Sequence, residues 1–209
     1  MNPAVAPAAA AFVVQRLDGS HAAPAAALLA ELRVSLFGIH SRRLYDALVA
    51  DSVGGKIDGR IAAASGEVCG VVLAAPRGYW TSAPLTHWRL GLECARARLF
   101  GGPPFHAAHS SSAAAKPSTP RVAYDDGPPR RMWDEPGDAW RIIIVGTAAS
   151  ARGRGVAAEL YRAVMRDRSL VARIAADNHA SLRLHRSVGW RLYPDGDVVL
   201  AVHERQSVT

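Results

Sequence analysis

Cysteine is nearly missing: Cys69 and Cys94, in unrelated contexts, are the two in 209 residues. That argues against a disulfide framework or a cysteine-built metal site and fits a reducing cytoplasm. Long apolar runs are missing too, with nothing near the ~20 residues that cross a bilayer, so stable membrane insertion is not expected. The opening "MNPAVAPAAAAFVVQ" has no basic segment and reads as a tail leading into a strand, not a secretion signal. Lysine is scarce, so the net charge of +7 is almost all arginine, scattered along the chain. Such a surplus suits nucleic acid, an anionic membrane or a phosphorylated ligand, and simple coding bias also produces it. No basic-aromatic pattern marks a nucleic-acid surface, and no nucleic-acid partner is expected. His106 and His109 lie in a Ser/Ala-rich stretch without nearby carboxylates, so no metal is expected.

What is present is enough apolar residue, 49% of the chain, for one packed core. We read residues 1–209 as one domain, with a core at 11–79 and 140–205 and an insert at 80–139. Stretch 11–17 predicts a strand. Stretch 22–37 predicts a helix with Pro24 near its first turn, and 41–52 a second helix with Ser41 as N-cap. Residues 60–65 and 67–76, split by Gly66, predict a hairpin. In the insert, 84–100 predicts a helix carrying Leu85, Trp88, Leu92 and Leu99 as an apolar stripe that needs a surface to lie on. Much of 101–137 is too rich in Pro, Gly and Ser to pack regularly. Then 140–147 predicts a strand, 152–168 a helix, 169–177 a strand, 179–190 a helix and 198–205 a last strand. The order is that of a mixed α/β domain, not a clean βαβ array.

The stretch "ARGRGVAAEL" (151–160) carries the first chemical signal. The first amides of a helix have no internal partner and the helix dipole makes that end positive. Glycines at 153 and 155 leave room for a diphosphate against those amides, and Arg152 and Arg154 add charge. Taken alone, a Gly-rich turn before an amphipathic helix explains the same residues. Gly153, Gly155 and Ala158 also spell G-x-G-x-x-A, with Asp177 further on, which mimics a dinucleotide fingerprint. The glycines come too late after the apolar run for that motif, and too little chain remains for the further βα units it requires.

A second pattern separates these readings: Asn178, Ser181, Leu184, His185, Gly189 and Trp190 in "NHASLRLHRSVGW". With "VGTAASARGRGVAAELY" it resembles the GNAT superfamily of acyl-CoA-dependent N-acetyltransferases, strongly over about 140–192 and only in element order over 11–76. The resemblance implies a GNAT-type α/β fold with a splayed central sheet flanked by helices and a long mid-domain insert. It implies acetyl-CoA as co-substrate: Val145 and Thr147 meeting the pantetheine arm through their backbones, Gly146 polarising the thioester carbonyl, and Arg152, Gly153, Arg154, Gly155, Val156 and Ala157 holding the pyrophosphate. Asn178 would hydrogen-bond the arm. His185 stands where many members carry a tyrosine that protonates the leaving thiolate; a packing role competes with that one. Arg173 stands where some members carry a glutamate base, and arginine cannot accept a proton. No acid occurs in "RIIIVGT", which leaves Asp177 and His203 as weak candidates for a base. Phe37, His40, Tyr45, Tyr79 and Trp80 are candidates for the acceptor side, against the ordinary alternative of core packing.

The implied activity is direct transfer of an acetyl group from acetyl-CoA to a primary amine. The stretch 36–55 followed by a long insert resembles GNAT members of bacterial surface-polysaccharide assembly, which makes an amino sugar the first expected acceptor and a protein or peptide amine the second. A catalytically weak acyl-CoA-binding regulatory module is the alternative class, favoured by the missing base. The expected partner is a small-molecule amine, with a homodimer left open, and the expected location is the cytoplasm.

Overall fold

The computed structural model describes residues 11–33, 41–79, 124–125 and 138–205. Seven strands form one sheet: β1 (Val13–Arg16), β2 (Asp58–Ala64), β3 (Glu67–Ala75), β4 (Trp140–Thr147), β5 (Leu170–Ala175), β6 (Arg191–Asp195) and β7 (Val198–His203). Their spatial order is β1-β2-β3-β4-β5-β7-β6. Every neighbouring pair is antiparallel except β4 and β5. Four helices complete the described fold: α1 (Ala22–Glu31), α2 (Arg42–Val53), α3 (Val156–Met165) and α4 (His179–Ser187).

Strand alternation divides the apolar residues between two faces. Ile61, Val71, Leu73, Ala75 and Ile144 pack with Leu28 and Leu29 of α1 and Leu44 and Leu48 of α2. Ala62, Val72, Ala74, Leu170, Ile174 and Val199 pack on the other face with Leu160 and Val164 of α3 and Leu182 of α4. Each such leucine is almost fully buried, contributing about 2 kcal/mol of transfer free energy. A third, smaller cluster, Ala139, Val171, Tyr193, Leu200 and Val202, lies on the α1/α2 face of β5, β7 and β6.

The expected β2–β3 hairpin turns at Ser65 and Gly66, both at positive φ (51° and 82°), the geometry of a tight primed turn. Strand β4 has the predicted bounds. Helix α1 stops at Glu31, short of the predicted end, because Arg33 adopts a left-handed φ of 49°; residues 34–40 lie outside the described residues. Ser41 precedes α2 as expected, but its carbonyl, not its hydroxyl, accepts the Leu44 and Tyr45 amides. Strand β6 has no counterpart in the sequence reading, because Pro194 and Gly196 look like loop. Pro194 is tolerated because β6 is an edge strand with one strand neighbour. The predicted helix at 84–100, Phe37, His40, Trp80, Cys94, His106 and His109 lie outside the described residues.

The stretch 80–137 follows an anchored point. Tyr79 donates its hydroxyl to buried Asp51 at 2.7 Å, while Lys56 donates to the other oxygen of Asp51 at 2.9 Å. Toward the end of that stretch, Asp125 clamps the sheet edge. Its carboxylate accepts from Arg186 and from the Leu192 amide, both at 2.7 Å, and its own amide donates to the Leu192 carbonyl at 3.0 Å.

Candidate functional site

The parallel strands β4 and β5 pair at only two points, Trp140↔Leu170 and Arg141↔Val171. Beyond them the strands part. The cause is visible on β4: Leu73 faces Ile144 but Ala74 faces Ile142, so Ile143 is an extra residue that bends the strand. The edge of β4 toward β5 therefore has no strand partner from Ile142 onward among the described residues. Backbone donors and acceptors left open in this way seek a partner. Val145 and Thr147, both partly exposed, lie on this stretch. Gly146 lies there too, but it is buried beneath α1, and a Cβ on it would sit 2.6 Å from Leu32 Cδ1.

At the mouth of the fork the chain makes one 3-10 turn (Ala149–Ala151) and then enters α3. Helix α3 starts at Val156 rather than at the predicted 152, because Gly153 and Gly155 both have left-handed backbones, φ 73° and 79°. A Cβ built on either glycine meets nothing within 4 Å among the described residues. No described side chain caps α3, and Gly155 supplies none as its N-cap residue. Arg152 is exposed and Arg154 partly exposed beside this turn. Together these residues form an open, positively biased cradle of backbone amides at the mouth of the fork. Its seat was not evident in the sequence. Gly70 of β3 lets α3 lie close, since a Cβ there would fall 2.6 Å from Val156 Cγ1, and the Ala148 amide donates to the Cys69 carbonyl at 2.9 Å. The Cys69 thiol itself is buried and desolvation raises its pKa, so it is not a ready nucleophile.

The other arm of the fork is built differently. Exposed Asn178 precedes α4, and its Oδ1 accepts from the Ser181 amide at 3.1 Å. His185 is 1% exposed, its ring 4.6 Å from that of Tyr161 and 4.8 Å edge-on to that of Trp190. Its Nδ1 lies 2.8 Å from the Ser181 carbonyl, which accepts only if Nδ1 carries the proton. Nε2 is then a lone-pair nitrogen, and it is buried without a hydrogen-bond partner among the described residues. Burial depresses the pKa of His185 to about 4, partly opposed by the Ser181 carbonyl. The ring is therefore neutral at physiological pH. The weaker candidates separate as well: Asp177 is exposed at the end of β5, while half-buried His203 lies by Trp190 with its pKa lowered by desolvation. Tyr45 and Tyr79, candidates for the acceptor side, are core residues.

Among the described residues no group of three His, Cys, Asp or Glu side chains could hold a metal, and no helix is long and apolar enough to cross a membrane. No protein-family model matches the chain. No curated protein matches it either. Solved structures do. An aminoglycoside N-acetyltransferase in complex with CoA aligns over 91% of this chain and 95% of its own, with a TM-score of 0.55 and 15% identity. Arabidopsis thaliana NAA60 in complex with acetyl-CoA aligns over 93% and 98%, with a TM-score of 0.54 and 15% identity. An agmatine N-acetyltransferase in its apo form aligns over 92% and 99%, with a TM-score of 0.55 and 13% identity. The fold is that of the GNAT acetyltransferases, two further solved members of which align over 94% of this chain with TM-scores of 0.53 and 0.55, as the paired motifs at 145–157 and 178–190 imply.

Proposed function

We propose that this chain is an acetyl-CoA-dependent N-acetyltransferase that moves the acetyl group directly to a primary amine. The observation that carries the reading is the fork: two parallel strands that part after two residue pairs, with an open glycine cradle and an uncapped helix start at the mouth. A fork of this kind accepts a chain that is amide-bearing along its length and diphosphate-bearing at one end, which are the chemical features of CoA. The unpartnered edge of β4 at Val145 and Thr147 pairs with the amides, and the backbone from Arg152 to Ala157 receives the diphosphate. The Gly146 amide is the candidate to polarise the thioester carbonyl. Asn178 orients the arm from the β5 side, with its Oδ1 already engaged by α4.

In the transfer, the amine nitrogen bonds to the thioester carbon, the carbonyl oxygen takes the negative charge, and the C–S bond breaks with its electron pair leaving on sulfur. The nitrogen sheds one proton, which water carries to the thiolate or to bulk. His185 is the candidate proton donor to sulfur. Its neutral ring, with Nδ1–H already given to the Ser181 carbonyl, favours instead a role in packing and orienting α4. His185→Phe separates the two: a donor role lowers kcat by about 10²–10⁴-fold at similar acetyl-CoA affinity, and a packing role leaves kcat within about threefold.

The acceptor class is a small molecule, an amino sugar first, with a protein or peptide amine second. The absence of an acid in "RIIIVGT" together with the neutral His185 favours one further reading, a module that binds acyl-CoA with weak turnover. Thiol release measured over a panel of amines, alongside calorimetry with acetyl-CoA and NAD, tests the proposal. Acetyl-CoA binding with amine-dependent thiol release is expected. Binding without release under any amine supports the binding module, and NAD binding without CoA binding overturns the fork assignment.

A further inference from the structure

The open edge of β4 is roofed on one face. Gly146 pairs across with Val71 of the α1/α2 core, so its missing side chain points to the α1/α2 face. Leu32 takes that space. Its Cδ1 sits 2.6 Å from where a Cβ of Gly146 would be, while Val71 and Leu29 stand further off at 3.8 and 3.9 Å. A leucine methyl therefore rests on the Gly146 backbone itself. The last turn of α1 holds Leu32 there: its amide donates to the Leu28 carbonyl at 2.9 Å, and the left-handed backbone of Arg33 ends the helix directly after it. Leu29 is fully buried, whereas Leu32 packs on the core and stays partly exposed. Ile143, the bulge residue, packs on the same core and is also partly exposed. On the opposite face α3 closes down on the sheet, with Val156 and Leu160 against Gly70 of β3. Toward the base the strands meet at Arg141 and Val171. A group bonded to a thioester carbon beside Gly146 therefore extends toward Leu32 and Ile143, two aliphatic side chains on fixed backbone.

We infer that Leu32 sets the length of the donor's acyl group, leaving room for acetyl and excluding longer acyl-CoA donors. This rests on the acetyltransferase reading above, which puts the thioester beside Gly146. Leu32 acts by occupying space and exchanges no proton with either substrate. A methyl group fits beside packed aliphatic side chains, and each further methylene has to displace one of them, which close-packed interiors resist. Apolar pockets tell donors apart by about 10–200-fold for a single methylene.

The test is calorimetry on the full chain with CoA, acetyl-CoA, propionyl-CoA and butyryl-CoA, which needs no identified amine. In the unmodified protein butyryl-CoA is expected to bind at least about tenfold more weakly than acetyl-CoA, with propionyl-CoA between them. Leu32→Ala is expected to bring butyryl-CoA within about threefold of acetyl-CoA, while affinity for CoA itself, which carries no acyl group, stays within about twofold. Leu32→Met, of nearly the same volume, should keep the discrimination. Equal affinity for acetyl-CoA and butyryl-CoA in the unmodified protein overturns the inference and leaves the cofactor reading standing. Discrimination that survives in a Leu32→Ala variant of native circular dichroism does the same. If Leu32→Ala loses its native circular dichroism, Leu32→Val takes its place, and an unchanged ratio there overturns the inference equally. A chain that binds none of the four donors overturns the acetyltransferase reading along with it.

Discussion

Two helices begin at the two arms of the same fork, and they begin in opposite ways. Helix α4 closes its own start: Asn178 folds its side-chain oxygen onto the Ser181 amide. Among the described residues, helix α3 leaves its start open, with a left-handed glycine as N-cap, no side-chain cap and no atom within 4 Å of where a Cβ would be. A side-chain cap is worth about 1 kcal/mol over alanine but only a few tenths over glycine, so the glycine start of α3 gives up little stability while leaving its amides without a side-chain partner. The contrast teaches that the two glycines of the cradle do different work from those in the sheet. Gly70 and Gly146 keep side chains out of the way of the protein itself, against Val156 and Leu32. At Gly153 and Gly155 a Cβ would meet no atom of the described residues, so crowding by the described protein does not account for them.

The sharpest way to test the closed arm is through pH. His185 has a depressed pKa in the fold, about 4 against an ordinary 6.5, so protonation favours the unfolded chain. Its contribution is fully present above about pH 6.5 and is lost as pH falls toward 4, a swing on the order of 3 kcal/mol. Denaturant unfolding of wild type and His185→Phe across that window should show the acid-side loss of stability flattened in the variant. His203, whose pKa is lowered in the same direction, remains as a smaller slope in both. Parallel pH curves for the two proteins would show that α4 is not held by a neutral imidazole.

Closing the open arm gives the next largest effect. Gly155→Asp places a carboxylate at the uncapped start of α3 and should weaken acetyl-CoA binding at least tenfold, about 1.4 kcal/mol, by calorimetry on a variant whose circular dichroism is native. Unchanged affinity would remove the functional side of the contrast. The smallest effect comes from opening the closed arm. Asn178→Ala should cost about 1 kcal/mol of stability by urea denaturation. No loss of stability would mean that the cap is dispensable, and that the two helix starts are less different than their geometry indicates.

Much of this was legible in the residues. The run Trp140–Thr147 announces β4 because six of its eight residues, one Trp, three Ile, one Val and one Thr, are strongly β-prone and follow a Pro- and Gly-rich stretch. The cradle was legible because glycine at a helix start needs a reason. What stayed hidden depends on contacts distant in sequence. The bulge at Ile143, which opens the fork, is one isoleucine among three and becomes an extra residue only when β3 is laid beside it. Strand β6 was hidden by Pro194, which is harmless at an edge and disqualifying elsewhere. His185 matched its motif in position, but its burial between Tyr161 of α3 and Trp190, just before β6, depends on how α3 packs, so its protonation state could not be read from the motif.

The Asp125 clamp has a consequence in the order of assembly. Its partners, Arg186 and Leu192, lie 61 and 67 residues further along the chain. Contacts that distant close late, because loop entropy is spent before they return anything. During synthesis from the N-terminus, β1 to β3 and the whole stretch 80–137 leave the ribosome before either partner exists. The clamp therefore works as a terminal latch, fastened when β6 joins the edge of the sheet. A chain truncated before residue 186 would carry Asp125 with neither Arg186 nor Leu192 to receive it.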